Sequence, residues 1–187
     1  MSSKSDDDFG CLPNWAQRPL VMQIFAQAHA LGGEARIVGG AVRDWLAGYP
    51  VGDIDVAINL PIETVASHMV ACDLRVVETG LKHGTITLYD NDDQIELTQT
   101  RVDLETDGRH AIVAHDQDWA RDAARRDFTI NAVYLDSSGS IFDPLEGRAD
   151  LQAGRLRFAG DAGPRVQEDA LRMIRYCRFL PRFAATG

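Results

Sequence analysis

Apolar residues recur at helical spacing through "PLVMQIFAQAHALGG" (19–33), and the closing Gly-Gly pair marks a helix stop. "ARIV" (35–38) follows as a short strand. Gly39-Gly40 turn the chain into a helix from Ala41 to about Ala47, ended by Gly48 and Pro50. "DIDVAI" (53–58) alternates polar and apolar positions, the pattern of a half-buried strand. "PIETVASHMVA" (61–71) returns to helical spacing. Residues 74–79, 85–90 and 94–100 read as strands, the last two joined by a hairpin turn at Asp90-Asn91-Asp92-Asp93. Residues 101–118 show no clean period and many charges, which predicts a long working loop. "WARDAARR" (119–126) reads as a helix, "INAVYLD" and "SIFDP" as strands around a Ser-Ser-Gly turn, and "PRVQEDALRMIRYCRFL" (164–180) as one amphipathic helix. Its apolar stripe, Val166, Ala170, Met173, Ile174 and Cys177, is expected to pack. Short strands, hairpins and helices alternate irregularly, which favours α+β over a doubly wound sheet.

Composition narrows the class. The apolar fraction of 45% and charged fraction of 25% suit a globular protein. No apolar run reaches the ~18 residues of a membrane span, so no membrane partner is expected. Residues 1–18 read as a polar N-terminal tail without a secretory h-region, and the location expected is cytoplasmic. Cys11, Cys72 and Cys177 have neither zinc nor disulfide spacing. The five histidines show no ligand spacing; His110 and His115 fall in the expected loop and read as solvated. The net charge of −9 argues against a simple nucleic-acid binder. It is unevenly spread: residues 120–187 hold 11 Arg, no Lys and 9 acids, a net of +2, against −11 before them. Exclusive use of Arg suits bidentate contacts to phosphates or bases, and equally suits a genome rich in Arg codons.

The chemistry centres on "IVGGAVRDWLAGYPVGDIDVAIN" (37–59). On a strand, residues i and i+2 share a face, so Asp53 and Asp55 project together while Ile54, Val56 and Ile58 face the core. Such a pair is either a solvent-facing edge or a seat for Mg²⁺, which takes oxygen ligands and shares them with phosphate. Glu96, in "QIELTQT", becomes a third ligand if its strand lies alongside. Three carboxylates can hold two metal ions for in-line phosphoryl displacement. Gly39 and Gly40 allow close approach of a phosphate, and Arg43 in the following turn could reach a triphosphate. The spacing is not G-x-G-x-x-G, so a dinucleotide fold is not supported.

In order, "VGGAVRDWLAG…DIDVA", "IELTQTR", "GRHA", "RRDFTINAVYLD", "FDPLEGRADLQAGRLRF" and "EDALRMIRYCRF" resemble the class II (bacterial-type) CCA-adding tRNA nucleotidyltransferases and the related bacterial poly(A) polymerases. The likeness runs from about Arg36 to Phe179. It implies a polymerase-β-like nucleotidyltransferase head over 19–146, a small mixed sheet flanked by helices, and the beginning of a helical neck over 147–187. By position it implies that Asp53 and Asp55 bind metal and are catalytic, with Glu96 as the third acidic position. It also implies that Gly39, Gly40 and Arg43 contact the nucleotide, and that Arg126 lies on the triphosphate side with Asp127 and Asn131 near the nucleotide. Asp169 and Arg172 match the pair that reads the incoming base, with Arg175 and Arg178 as neighbouring nucleotide contacts. The implied cofactor is Mg²⁺, and the implied partners are CTP, ATP and the tRNA 3′ end. Tyr49 and Gly52 stand where the family often has a basic residue and a Lys or Ser. Family members continue into a helical body that grips tRNA, so a chain ending at Gly187 reads as a fragment, a truncated form or a short member.

On one helix, Asp169 and Arg172 would be i, i+3 neighbours. Asp accepts and Arg donates, which matches the amine and bare ring nitrogen of cytosine and adenine and mismatches uracil and guanine. Read without the motifs, the pair is a plain surface ion pair. The expected activity is therefore template-independent addition of CMP and AMP to a tRNA 3′ end. A poly(A) polymerase is the alternative within the class, and a non-catalytic Mg-nucleotide-binding module the alternative outside it.

Overall fold

Helix α1 (Pro19–Ala30) begins at a proline, whose missing N–H costs nothing in a first turn. Its buried face, Leu20, Val21, Ile24, Phe25 and Ala28, lies on a sheet built by the segments that follow. The computed structural model describes residues 11–91, 93–106 and 111–184. Strand β1 (Ala35–Val38) leads into α2 (Gly40–Leu46), and β2 (Asp55–Ile58) into α3 (Ile62–Ala71). Then come β3 (Arg75–Gly80), β4 (Thr85–Asp90) and β5 (Asp93–Gln99). After α4 (Trp119–Arg125), the two-residue strands β8 (Tyr134–Leu135) and β9 (Ile141–Phe142) close a seven-stranded sheet of order β3-β4-β5-β2-β1-β8-β9. Only β2 and β5 pair in parallel; the sheet is mixed and the class α+β, as the element pattern implied.

One face of this sheet carries the main core. Ile37, Ile54, Val56, Ile58, Ile86, Leu88, Ile95 and Leu97 meet α1 and α3 there. Each fully buried aliphatic side chain of this kind contributes about 1.5–3 kcal/mol. The opposite face carries a smaller cluster, in which Val38, Ala57 and Tyr134 are covered by Trp119 and Ala123 of α4. Asp55 and Glu96, in register with Val38, project from this second face.

Several expectations are corrected. Strand β2 begins at Asp55, not Asp53: Ile54 is buried as the alternation predicts, but neither it nor Asp53 has a strand partner in the register. Residues 101–118 are not a structureless loop. Strands β6 (Arg101–Thr106) and β7 (Ala111–His115) pair as a two-stranded ribbon. A register shift between Asp103 and Glu105 breaks its alternation, which hides the strand period in the sequence. Asp92, His110 and the side chain of His115 lie outside the described residues. Ile130 and Asn131 belong to a 3-10 turn (Thr129–Asn131) before β8 rather than to the start of a strand. Leu12 and Ala16, within the stretch read as a tail, are buried in the main core.

The expected helix 164–180 is two. Helix α6 (Ala162–Glu168) stops, Asp169 is extended, and α7 (Leu171–Phe183) restarts. The Asp169 Oδ1 accepts the Leu171 amide at 2.9 Å, a local bond that competes with a continuous helix. The expected stripe packs only in part: Val166 lies against a third cluster, whereas Met173, Ile174 and Cys177 are exposed, with Leu171. Phe179 and Phe183 are buried instead, in that cluster with Phe128, Ile130 and Phe158. Between these parts, α5 (Gly147–Gln152) packs against the 3-10 turn, where Gly147 leaves no room for a Cβ against the Thr129 carbonyl.

Candidate active site

Strand register assembles the site. Glu96 on β5 pairs with Asp55 on β2, Asp55 with Val38 on β1, Val38 with Tyr134 on β8, and Tyr134 with Phe142 on β9. Registered partners point to the same face, so two carboxylates, a valine and two aromatic rings stand in one row. Asp53 lies two residues before Asp55, outside the strand, and is exposed. Gly39 follows Val38, and a Cβ built there would lie 3.8 Å from the Asp55 Oδ2, so the glycine backbone passes directly beside the carboxylate. Its φ of 78° and ψ of −131° are accessible to glycine and strained for other residues.

The three carboxylates repel one another. Asp55 is held above the ordinary carboxylate pKa, first by local burial, then by Glu96, with Asp53 adding to it; Arg126 opposes the shift. Among the described residues, no hydrogen bond or ion pair engages the side chains of Asp53, Asp55 or Glu96. Nor, among those residues, do three or more His, Cys, Asp or Glu side chains draw together closely enough to hold a metal ion by themselves. The arrangement is an open pair with a neighbour, which suits a cation that keeps water or phosphate in its shell.

Arg126 belongs to a buried network beside this row. The Asp122 carboxylate, fully buried on α4, accepts from the Tyr134 hydroxyl at 2.8 Å, from Arg126 Nη2 at 3.0 Å and from Arg125 Nε at 2.7 Å. Arg126 Nε in turn donates to the Tyr134 oxygen at 3.0 Å. Burial would raise the Asp122 pKa, but Arg126, Arg125 and the Tyr134 hydrogen bond outweigh it and hold it low. Burial lowers Arg126, yet Tyr134 and Asp122 outweigh it and hold its pKa above the ordinary arginine value.

A second chain of contacts links most of the other expected residues. Arg43 is buried; its Nε donates to Asp44 at 2.8 Å and its Nη1 to the Asn131 Oδ1 at 2.7 Å. Its guanidinium lies 5.0 Å from the Phe179 ring centroid and 4.6 Å from that of Phe183. Burial is the chief reason that its pKa falls below the ordinary value, against the pull of Asp44. Asn131 Nδ2 donates to the Asp127 Oδ1 at 3.0 Å, and the Asp127 Oδ2 pairs with Arg175 on α7 at 2.7 Å. Arg43, Asn131, Asp127 and Arg175 thus form one run of bonds from the glycine turn to α7. Arg182 Nη2 reaches Asp44 at 3.3 Å and ties the same helix to α2.

Asp169 and Arg172 flank the break between α6 and α7 rather than sharing a continuous helix. Arg172 Nη1 donates to the Arg165 carbonyl at 2.9 Å, and Arg178 is exposed with its guanidinium 5.2 Å from the Phe179 ring centroid. Gly40 opens α2, where an added Cβ would meet Arg43 Nη2 at 3.7 Å. Sequence reasoning missed Asp44, Asp122 and the polar role of the Tyr134 hydroxyl. Asp122 carried a readable signal: it falls on the stripe of Trp119, Ala123 and Arg126 at helical spacing, where a lone acid needs a partner.

A family model described as the poly(A) polymerase head domain matches residues 35–157. The mitochondrial CCA tRNA nucleotidyltransferase 1 of Danio rerio is 45% identical over 153 residues, 81% of this chain and 36% of the relative. The CCA-adding enzyme of Geobacillus thermodenitrificans is 39% identical over 160 residues, 84% of this chain and 38% of the relative. The crystal structure of a Bacillus stearothermophilus CCA-adding enzyme in complex with CTP matches with a TM-score of 0.80 at 35% identity, over 90% of this chain and 40% of that one. The chain therefore spans well under half the length of these relatives. The resemblance read from the motifs holds along the matched stretch, the fold is that of the similar CCA-adding enzyme structure, and the chain belongs to the poly(A) polymerase head-domain family.

Proposed function

We propose that this chain is the nucleotide-transferring head of a template-independent RNA nucleotidyltransferase, adding CMP and AMP from CTP and ATP to the 3′ end of tRNA. One observation carries the reading: Asp55, with Glu96 in register and Asp53 two residues before it, presents exposed acidic charge beside Gly39 that only the more distant charge of Arg126 offsets. The relatives' names, and the CTP in the similar crystal structure, support the substrate class.

The residues present fit a divalent cation, because repulsion among Asp53, Asp55 and Glu96 is relieved by positive charge between them. Asp53 and Asp55 would hold Mg²⁺, with Glu96 as a third oxygen donor. When bound, such an ion polarises a phosphoryl oxygen and lowers the pKa of a coordinated hydroxyl. The chain's own groups do the rest. Gly39 and Gly40 let the backbone approach the triphosphate. Arg126 offers its guanidinium to phosphate oxygens. Arg43 and Asn131, fully engaged with Asp44 and Asp127, brace the glycine turn from beneath. Asp169, Arg172, Arg175 and Arg178 stand at and along α7 where a base could be read, with Asp accepting from the exocyclic amine and Arg donating to the ring nitrogen.

The test supplies tRNA lacking its terminal residues with CTP and ATP, then with ATP alone. A finished CCA end supports the reading. A long A tail would instead support a poly(A) polymerase, the second reading, which the description of the matching family model favours. Binding of Mg-CTP without any extension would leave a nucleotide-binding module.

A further inference from the structure

We propose that Asp122 and Tyr134 are positioning residues that aim Arg126 at the nucleotide phosphates. The inference rests on the nucleotidyltransferase reading above and names the parts that set its arginine. A free arginine side chain has many rotamers, and holding a phosphate requires one of them. Two of the Arg126 nitrogens are already committed: Nε to the Tyr134 oxygen at 3.0 Å and Nη2 to the Asp122 Oδ2 at 3.0 Å. These two bonds fix the plane of the guanidinium. Among the described residues Nη1 has no hydrogen-bond partner, so one edge of the fork is left for an incoming anion.

The support is itself rigid. Tyr134 is fully buried, its ring stands edge-on to Trp119 at 5.6 Å between centroids, and it lies 6.0 Å from Phe142. Its hydroxyl uses both capacities, donating to Asp122 and accepting from Arg126. Asp122 divides its oxygens, with Oδ1 facing Arg125 and Oδ2 taking Tyr134 and Arg126. Tyr134 is in register with Val38, and Val38 with Asp55. The tyrosine and the carboxylate are therefore two strand spacings apart on one face, about 10 Å.

The test is a double-mutant cycle on the full chain, read by calorimetry with Mg-CTP and by KM and kcat for incorporation into tRNA. Arg126→Ala should weaken CTP binding and raise KM. Tyr134→Phe removes one hydroxyl and keeps the ring; it should weaken CTP binding about 10-fold, the scale of a hydrogen bond to a charged group. In the Arg126→Ala background it should have no further effect, because the group it positions is gone. Asp122→Asn should behave likewise; if that variant does not fold, Tyr134→Phe decides alone. Independent, multiplying losses from Tyr134→Phe and Arg126→Ala would overturn the positioning role and leave the functional reading standing. Unchanged CTP binding and KM in Arg126→Ala would overturn the arginine's place in that reading, and this inference with it.

Discussion

Asp55 and Asp122 flank the same face of one sheet and carry opposite electrostatic histories. Asp55 sits at the mouth of β2 with like charges beside it, and its pKa is raised. Asp122 is buried beneath, with two arginines and a tyrosine hydroxyl on it, and its pKa is lowered. Burial acts on both in the same direction, so burial does not explain the difference; partners do. An acid whose partners are supplied by the fold serves the fold. An acid that the fold leaves among other acids waits for a cation from outside. Perturbed titration thus separates a structural carboxylate from a ligand-seeking one only when its sign and cause are read together.

The comparison breaks most sharply on activity. Asp53→Ala together with Asp55→Ala should abolish nucleotide incorporation while circular dichroism and the thermal midpoint stay near those of the parent. Neither side chain has a bond within the described fold to lose. Retained incorporation in that variant would end the metal reading.

Stability responds in the reverse order. Asp122→Asn removes a charge on which Arg125 and Arg126 both lean, at 2.6 and 3.0 Å. Breaking a buried pair from one side costs about 3–5 kcal/mol. Urea denaturation should show the loss at neutral pH. The sign with pH follows from the lowered pKa. The contribution of Asp122 is present above the ordinary carboxylate value and is lost as pH falls through its depressed value. The gap between parent and variant should therefore narrow as pH falls below the ordinary carboxylate value and vanish below the depressed one; a gap that stays unchanged through that whole range would refute the charge assignment.

How much of this was legible beforehand depended on whether a residue's role was written locally. The glycine turn, the Asp-x-Asp spacing and the alternation of "DIDVAI" are local, and the structure places Asp55 against Gly39 as they suggest. The parallel pairing of β2 with β5 that sets Glu96 beside Asp55 is long-range; it entered only as a condition. The ribbon at β6 and β7 was hidden because its register shift breaks the period. The break at Asp169 was hidden because amphipathic spacing continues through it, while the local bond to Leu171 is invisible to periodicity. The exposed Leu171, Met173 and Ile174 show the same limit from the other side. Periodicity tells which face is apolar and not what covers it. Arg43 was assigned by motif position to a phosphate, yet its donors are spent on Asp44 and Asn131 inside the fold.

Gly39 offers a test of intermediate size. Its left-handed φ would strain any side chain, whereas the nearest atom to an added Cβ is at an ordinary contact distance. Gly39→Ala should therefore cost about 1–3 kcal/mol through the backbone alone. If the turn relaxes to avoid the strain, it moves away from Asp55, and incorporation should fall by more than the stability loss explains. A thermal melt and a kcat/KM measurement on the same preparation separate the two. An unchanged melt would mean that the turn has a second conformation open to alanine.

The smallest effect is the one most specific to the contrast between the two acids. With a raised pKa, Asp55 binds its proton more tightly in the folded state than in the unfolded one. Stability therefore falls as pH rises from the ordinary carboxylate range through its elevated folded value, and the unfavourable charge is fully present at neutral pH. Asp55→Asn removes that charge and keeps the shape. In EDTA at pH 7 the variant should melt slightly higher than the parent, by a shift that vanishes once the pH falls below the ordinary carboxylate range. Added Mg²⁺ should raise the melting point of the parent and leave the variant nearly unmoved, because binding favours the state that holds the ion. A variant that melts lower than the parent in EDTA would show that Asp55 has a partner in the fold after all, and the contrast with Asp122 would collapse.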